Sequence, residues 1–194
     1  MSIENEWWSK LRGGELAINA FGLPHYDVEA VADFLEPWIK PEIVLDLGCG
    51  PGRLGHVLAE RHPFSTFVGY DVSPQMVSQA SVGGPLNWSA RLTNGADLGW
   101  TEGNGIISSA YSVTVFQHLP AFVVKGYLQQ LSDILKLGGT FVFTYAIGTE
   151  DTFLSHQVTH HDMTQWVIDA GMHPVRLITP DDHPAWHWMK ATKI

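Results

Sequence analysis

A glycine-rich segment flanked by acidic residues is the part of the sequence with the clearest chemical potential. Gly48, Gly50 and Gly52 follow a short apolar run that contains Asp46, and a helical pattern begins directly afterwards. A second acid, Asp71, follows the next apolar run along the chain. A strand that passes through glycines into a helix lets a ligand approach the backbone closely. The segment therefore predicts a ligand site bordered by two carboxylates.

Two classes of ligand compete for this glycine segment. The spacing of Gly50, Gly52 and Gly55 matches the dinucleotide-binding pattern, and Asp71 lies where that pattern places an acid on the ribose. However, a pyrophosphate would meet the acid that precedes the glycines, and Pro51 removes a backbone N–H from the turn. A cationic ligand with a ribose diol and no phosphate fits better. S-adenosylmethionine has these properties, because it carries a sulfonium, an ammonium group and a diol.

Histidines in the C-terminal half have a spacing that suits a metal site. His156 and His160 lie four residues apart, as do His183 and His187, so each pair could share a metal on one helix face. A proline interrupts the second pair, and the first pair lies in a predicted loop. We therefore expect no metal site and interpret these side chains as surface or loop histidines. A general base among His156, His160 and His161 is the alternative.

Alternating strand and helix patterns must position these groups. The predicted strands are short apolar runs, and the predicted helices have apolar residues at three- and four-residue spacing. The strands are Glu42–Leu47, Phe64–Tyr70, Trp88–Leu92, Ser108–Val113, Thr140–Tyr145, Pro174–Ile178 and Ala185–Thr192. The helices are Asp27–Ile39, Leu54–Arg61, Ser73–Ala80, Ala121–Lys136 and Thr164–Ala170. We expect Asp27 to cap the first helix, Gly138 and Gly139 to close the fourth, and the last two strands to be antiparallel neighbours. The order predicts an α/β fold: a doubly wound, mostly parallel sheet with helices on both faces.

Composition narrows the class of protein and its partners. The chain has 194 residues, with 11 Lys and Arg against 20 Asp and Glu, and a net charge of −9. This balance disfavours a nucleic-acid backbone or an anionic membrane as the main partner, because both select a basic face. The single cysteine, Cys49, cannot form an internal disulfide. We therefore expect a cytoplasmic protein without a secretory or membrane-spanning segment.

Five motifs, in order along the chain, resemble those of the class I S-adenosylmethionine-dependent methyltransferases. Asp46–Gly52 is similar to the first motif of that family, Val68–Met76 to the second, and Asn94–Leu98 to the loop that meets adenine. Tyr111–Pro120 resembles the segment beside the transferring methyl, and Leu135–Thr140 resembles the turn that opens the fifth strand. The resemblance covers roughly Ile43 to Tyr145, over half of the chain.

The resemblance implies a seven-stranded Rossmann-like sheet and a set of contacts to S-adenosylmethionine. The implied cofactor-binding residues are Asp46, Gly48, Cys49, Gly50, Gly52, Asp71, Val72, Met76, Asp97, Leu98, Ser112 and Val113. Asp46 and the glycine loop would hold the methionine end, and Asp71 would hold the ribose. Asp97 and Leu98 would contact the adenine. Ser112 and Val113 would flank the sulfonium.

The resemblance also implies a transferase that methylates an acceptor by direct in-line displacement. We expect a small-molecule acceptor, because the length leaves no room for an added recognition domain. His118 follows the fourth strand near the expected methyl and is the candidate general base. We divide the single domain, 1–194, into a helical cap or lid (1–40), a cofactor-binding core (41–145) and an acceptor-side insert with the final strand pair (146–194). His25 and Tyr26 of the cap would line the acceptor pocket.

Several alternatives stay open at this point. Ser108 replaces an acid that usually opens the fourth strand of the family, and Leu137 replaces a common proline. Either Asn94 or Asp97 could meet the adenine edge, and we prefer Asp97 because it carries a charge. A non-catalytic subunit that binds S-adenosylmethionine as a regulatory or structural ligand is the main alternative function. An NAD(P)-dependent oxidoreductase is the second.

Overall fold

The computed structural model describes residues 27–148, 156–177 and 186–194. The strands are β1 (Ile43–Leu47), β2 (Thr66–Asp71), β3 (Trp88–Leu92), β4 (Ile107–Ser112), β5 (Leu135–Ala146), β6 (Met172–Leu177) and β7 (Trp186–Lys193). The helices are α1 (Val28–Leu35), α2 (Arg53–Arg61), α3 (Pro74–Ala80), α4 (Ala121–Ile134) and α5 (His160–Asp169), with 3₁₀ turns at Glu36–Trp38 and Phe116–His118. The predictions for His25, Tyr26 and His183 lie outside the described residues.

The strands form one sheet in the order β3-β2-β1-β4-β5-β7-β6. Strands β1 to β5 are parallel to their neighbours, while β7 runs antiparallel between β5 and β6. The chain order reverses between β1 and β4, and ligands of doubly wound sheets bind in the crevice outside the carboxyl ends of the strands at this point. The predicted fold class is confirmed, including the antiparallel final pair.

Two apolar cores cover the two faces of the sheet. One core packs α1, α2 and Ala80 of α3 against side chains such as Val44 and Tyr111. The other packs α4 and α5 against side chains such as Phe141 and Phe143. Alternate strand residues point to opposite faces, so a strand buried on both sides reads as a continuous apolar run. The carboxyl ends of the strands are therefore held rigidly from both faces.

Several predicted boundaries were wrong, and α1, for example, ends at Leu35 and not at Ile39 because a 3₁₀ turn follows it. Helix α4 ends at Ile134, and β5 begins at Leu135, because Leu135 pairs with Ile107 before the register shifts. Gly138, with a φ of 72°, therefore lies inside β5 and does not cap a helix. Helix α5 begins at His160, because the Oγ1 of Thr159 accepts the Asp162 N–H at 3.0 Å and caps it.

The predicted N-cap of the first helix is confirmed. Asp27 Oδ1 accepts the N–H groups of Glu29 at 3.0 Å and Ala30 at 3.2 Å. In the part of the chain that the structure describes, no helix has both the length and the apolar character needed to cross a bilayer.

Candidate ligand site at the carboxyl ends of the parallel strands

The loop between β1 and α2 takes backbone conformations that require glycine. Gly48, Gly50 and Gly52 have φ values of 76°, 53° and 85°. These lie in the left-handed region, which is costly for other residues because their Cβ approaches the next carbonyl oxygen. The N–H groups of Gly48 and Cys49 both donate to the carbonyl of Tyr70, at 2.7 and 3.0 Å. The loop is thus fastened to the end of β2.

Two glycines of this loop face different surroundings. A Cβ on Gly48 would lie 2.2 Å from Cγ2 of Val115, so the segment after β4 needs this glycine for its close approach. A Cβ on Gly50 would meet no atom within 4 Å. The backbone at Gly50 is therefore the part of the loop that is open to a ligand.

The third glycine of the dinucleotide-like spacing is required by packing. A Cβ on Gly55 would lie 2.1 Å from Cζ3 of Trp88, and a Cβ on Gly69 would lie 2.6 Å from Cη2 of the same ring. Helix α2 and strand β2 thus close around the indole of β3. Packing against Trp88 thus explains why position 55 is a glycine. The glycine spacing therefore gives little support for a pyrophosphate-binding turn.

Asp71 joins the glycine loop to the start of α3. Its Oδ2 accepts the N–H of Gly50 at 2.9 Å, and its Oδ1 accepts the N–H of Ser73 at 2.8 Å. Burial raises the pKa of this carboxyl, while the hydrogen bonds from Ser73, Gly50 and Val72 act in the opposite direction. A carboxylate has about four lone-pair sites, so the backbone bonds from Ser73, Gly50 and Val72 leave acceptor capacity for a ribose diol. The side chain that was predicted to hold a ribose is therefore beside the open face of Gly50.

Asp46 lies deeper than Asp71. It is 4% exposed, and its Oδ2 accepts the hydroxyl of Tyr111 at 3.0 Å. Burial raises the pKa of Asp46 to about 8, and the charge of Asp71 adds to this effect, while the Tyr111 hydrogen bond lowers it. The carboxyl group is thus mostly protonated near neutrality. A cation bound nearby would favour its ionised form.

The turn after β4 is strained and braced by a neighbouring strand. Thr114 has a φ of 60°, an unusual conformation for a β-branched residue. Its N–H donates to Oγ1 of Thr144 in β5 at 2.7 Å. Ser112 is fully buried, and its hydroxyl donates to the carbonyl of Leu47 at 2.8 Å, which joins β4 to β1. Val113 is half-buried between these two anchored residues.

His118 lies at the end of the 3₁₀ turn that follows this strained segment and is half-buried. Gln117 beside it is 4% exposed, and its Oε1 has no hydrogen-bond partner among the described residues. Buried amide oxygens are normally hydrogen-bonded, so this atom is a candidate contact for a ligand. The sequence analysis missed Gln117, because its environment depends on how the turn folds onto the sheet.

The segment after β3 places Asp97 at the surface. Oδ1 of Asn94 accepts the N–H groups of Ala96 at 2.9 Å and Asp97 at 2.7 Å, so this side chain is used within the turn. Asp97 is exposed, and its Oδ1 accepts the N–H of Gly99 at 2.8 Å. Leu98 is 1% exposed, so its side chain belongs to the core. This arrangement favours Asp97 over Asn94 as the polar contact for a base.

The remaining predicted cofactor contacts are close to the loop. Cys49 and Met76 are 8% and 7% exposed, and Val72 is half-buried directly after Asp71. Burial raises the pKa of the Cys49 thiol well above its ordinary value, with further contributions from Asp46 and Asp71. Cys49 is therefore a neutral packing group at neutral pH.

A small cavity lies beside the site between α4, α5 and the ends of β4 and β5. Its volume is about 60 Å³, and Phe116, Tyr145 and His156 are among its lining residues. The Tyr145 hydroxyl and Nδ1 of His160 are 2.5 Å apart. Burial lowers the pKa of His160, and the charges of Arg176 and His187 act in the same direction.

Two of the three histidines considered for an acceptor-side base thus lie at or near this cavity, and His161 is exposed on α5. Within the described segments, no three His, Cys, Asp or Glu side chains come together as possible metal ligands. The described geometry therefore offers proton-handling groups beside the crevice.

Comparisons with known proteins find similar sequences and similar folds. A family model described as "Methyltransferase domain" matches residues 44–139. Trans-aconitate 2-methyltransferase of Streptomyces avermitilis is 34% identical over 109 residues, which are 53% of this chain and 38% of that protein. The chain thus matches well under half the length of this curated relative.

Two solved structures extend the similarity in fold. Geranyl diphosphate C-methyltransferase of Streptomyces coelicolor A3(2), in complex with Mg²⁺, geranyl-S-thiolodiphosphate and S-adenosyl-L-homocysteine, has a TM-score of 0.75 at 14% identity. The match covers 100% of this chain and 99% of that one. Magnesium protoporphyrin IX methyltransferase of Synechocystis PCC 6803 with bound S-adenosylhomocysteine has a TM-score of 0.68 at 18% identity, over 86% of this chain and 82% of that one.

Proposed function

The chain belongs to the class I S-adenosylmethionine-dependent methyltransferases, and we propose that it transfers the methyl group of S-adenosylmethionine to a small-molecule acceptor. The observation that carries this proposal is the contact between Asp71 and Gly50. Oδ2 of Asp71, the carboxylate that we propose for the ribose, accepts the N–H of the glycine at which a loop Cβ would meet no atom within 4 Å.

The residues around the crevice fit this cofactor. Asp71 retains acceptor capacity for the two ribose hydroxyls, and Asp97 lies exposed on the neighbouring loop toward the adenine. Asp46 and the Gly48–Gly52 loop would hold the methionine end, with Cys49 and Met76 as packing groups. Ser112 and Val113 would flank the sulfonium, and Val72 would contact the nucleoside. The acidic surroundings suit a ligand that carries positive charge and no phosphate.

When bound, S-adenosylmethionine supplies a methyl carbon that an acceptor lone pair attacks as the carbon–sulfur bond breaks, which leaves a neutral thioether. The protein contributes mainly alignment, and such positioning can lower a barrier by about 7–11 kcal/mol. The braced turn Val113–Val115 would fix the approach to the methyl. His118 would accept a proton from acceptors that must lose one, which typically contributes about 10²–10⁴-fold.

A small acceptor is supported by the names of similar proteins and by the adjoining cavity. Those proteins are named for trans-aconitate, geranyl diphosphate and magnesium protoporphyrin IX. The cavity beside the crevice has a volume of about 60 Å³, so it could take only a small group of an acceptor, and most of its lining residues are apolar. We further propose a cytoplasmic location. A chain with one cysteine cannot form an internal disulfide, and proteins without disulfides are typical of the reducing cytoplasm.

Ser108 does not weaken the proposal. Its hydroxyl donates to the carbonyls of Ile43 at 2.7 Å and Lys40 at 3.1 Å, so it joins β4 to the start of β1. This contact lies at the amino end of the parallel strands, on the opposite edge of the sheet from the crevice. Position 108, where the family usually has an acid, is therefore remote from the proposed cofactor contacts.

Calorimetric titration with S-adenosylmethionine, S-adenosylhomocysteine and NADH tests the proposal. We expect saturable binding of both adenosyl ligands and none of NADH. Transfer of a labelled methyl group to members of a panel of small carboxylic acids, phenols and isoprenoid diphosphates would then identify the acceptor class. Adenosyl binding without transfer to any acceptor would favour the non-catalytic alternative, and binding of NADH alone would favour the oxidoreductase.

A further inference from the structure

The segment after β3 begins beside the proposed ribose contact. The N–H of Thr93 donates to the backbone carbonyl of Asp71 at 2.9 Å. In the proposed function the glycine loop of β1 takes the methionine end, and Asp71 at the end of β2 takes the ribose. Because β2 lies between β1 and β3, the adenine has to extend toward the segment after β3.

A glutamine of α4 holds this segment on both sides of Asp97. Oε1 of Gln130 accepts the N–H of Leu98 at 2.9 Å, and its Nε2 donates to the carbonyl of Ala96 at 3.0 Å. The same Nε2 also lies 3.2 Å from the carbonyl of Gly126, one turn earlier on α4. Since the oxygen can only accept and the nitrogen can only donate, the carboxamide fits in one orientation.

The other hydrogen bonds of the segment are mostly local. Asn94 shapes the turn through two N–H groups within it, and the hydroxyl of Thr93 donates to the carbonyl of Asp97. Such bonds give the turn its shape but do not place it relative to the sheet. Placement comes from Thr93, whose N–H is bonded to the end of β2, from the buried Leu98 side chain, and from Gln130. Of these, Gln130 is more than 30 residues away in sequence and contacts the segment on both sides of Asp97.

We infer that Gln130 is a positioning residue for recognition of the adenine 6-amino group. By holding the peptide groups before and after Asp97, it directs the exposed carboxylate toward the base. An amino group can donate a hydrogen bond to this carboxylate, whereas the 6-oxo group of hypoxanthine cannot. The inference rests on the proposed function and adds a source of selectivity for adenine over hypoxanthine.

The test compares two ligands whose bases differ at this edge: adenine has the 6-amino group, and hypoxanthine has a 6-oxo group with a proton on N1. Calorimetry would measure binding of S-adenosylhomocysteine and S-inosylhomocysteine to the wild-type protein and to Gln130→Leu. We expect the wild type to bind the adenine ligand about tenfold or more tightly than the hypoxanthine ligand. A ratio of this size corresponds to the free energy of about one hydrogen bond to a charged group. In Gln130→Leu we expect this preference to fall to about threefold or less, because Asp97 is no longer held.

The neighbouring glutamine provides the matched control. Gln129 is exposed on α4, and its Nε2 donates to Oδ1 of Asp133 at 3.0 Å, away from the segment after β3. Gln129→Leu should retain the wild-type preference. Gln130→Glu keeps an acceptor for Leu98 but presents an oxygen to the carbonyl of Ala96, so it should also lose the preference.

The outcomes separate this inference from the proposed function. A wild-type protein that binds S-adenosylhomocysteine, together with Gln130→Leu and Gln130→Glu that fully retain the preference, would overturn the role of Gln130 alone. A wild type that binds both ligands equally would also overturn it. A wild type that binds neither would overturn the proposed function and this inference with it. The thermal midpoints of all variants show whether each protein is folded.

Discussion

The backbone N–H of Thr114 donates to the side-chain oxygen of Thr144 at 2.7 Å, across neighbouring strands of the sheet. This bond holds a β-branched residue at a φ of 60°, a conformation that costs about 1–3 kcal/mol. Thr144 is 2% exposed, so water does not replace the bond if the hydroxyl is removed. The turn that borders the proposed methyl position therefore depends on one buried hydroxyl group.

Replacing this hydroxyl should loosen the turn. We expect Thr144→Val to lower the free energy of unfolding by about 1–3 kcal/mol, because the Thr114 N–H loses its partner in a buried position. The affinity for S-adenosylhomocysteine should fall as well. Urea denaturation and calorimetry measure the two effects. Thr144→Ser, which keeps the hydroxyl, should retain most of both, and a Thr144→Val protein with wild-type values would show that the bond is dispensable.

The two glycines of the loop should respond differently to alanine. Gly48→Ala forces a Cβ against Val115 and should destabilise the fold by about 1–3 kcal/mol through overpacking, with further strain from its positive φ. Gly50→Ala meets open space, so only about 1–2 kcal/mol of backbone strain is expected, but the methyl group would occupy the proposed ligand position.

Thermal denaturation and ligand titration of both alanine variants separate these effects. The double variant Gly48→Ala with Val115→Ala should recover part of the lost stability, because the second change removes the clash. Equal losses of stability for the two single variants would contradict the assignment of separate roles.

The carboxylate of Asp71 should dominate the binding of the nucleoside. We expect Asp71→Asn to weaken S-adenosylhomocysteine binding by at least about tenfold, since an amide presents one acceptor oxygen where the carboxylate presents two. Asp169→Asn, at an exposed position on α5, provides a control for the change in net charge. Unchanged affinity in a folded Asp71→Asn protein would remove the ribose assignment.

The buried carboxyl group of Asp46 should make stability fall as the pH rises. Its pKa is about 8 in the folded protein, against an ordinary value of 3.8, chiefly because of burial. Below about pH 4 both states hold the proton, and between about pH 4 and 8 only the folded state does. In that window the free energy of unfolding should decrease by at most about 1.4 kcal/mol per pH unit from this group.

Asp46→Asn should remove this contribution, because the amide does not titrate. Urea denaturation at several pH values from 4 to 8 would show a shallower decrease for Asp46→Asn than for the wild type. Asp71 has a raised pKa in the same direction, so some decrease should persist in the variant. Identical slopes for both proteins would mean that Asp46 is already ionised in the folded state.

His118 should affect turnover and not cofactor binding. If it accepts the acceptor's proton, His118→Gln should lower kcat by about 10²–10⁴-fold. The affinity for S-adenosylhomocysteine should stay within about twofold of the wild type. Rates measured with the acceptor from the labelled-methyl panel would decide this. A rate within about threefold of the wild type would leave His118 as a structural residue.

The fold was accessible from the sequence because its strands and helices have strong periodic patterns. Because ligands of such sheets bind at the carboxyl ends of the strands, the glycine loop and Asp71 could be predicted to border one site, and the family resemblance implied Asp97 as the adenine contact. The ends of helices and strands were harder to predict where strand pairing overrides the local sequence pattern. Leu135, for example, fits the helical pattern of α4 but pairs with Ile107 as part of β5.

The contacts that complete the site depend on distant pairs of side chains. Gln130 meets the segment after β3 across more than 30 residues, and Thr144 meets Thr114 across 30. Neither residue type carries a signal of its own, because Gln and Thr are common on helices and strands. The unpartnered oxygen of Gln117 is likewise a property of the packed turn and not of the sequence.

Trp88 imposes one steric requirement on two separate elements of the chain. Its indole occupies the space that a Cβ on Gly55 or Gly69 would need, so these three positions can be expected to change together during evolution. A homologue with a small residue at position 88 would be free to carry alanine at position 55, whereas a Cβ at position 69 would still lie 2.8 Å from the Sγ of Cys49. In such a lineage the third glycine of the loop pattern, at position 55, would be lost without any change in ligand. Whether position 55 retains glycine therefore depends on the residue at position 88.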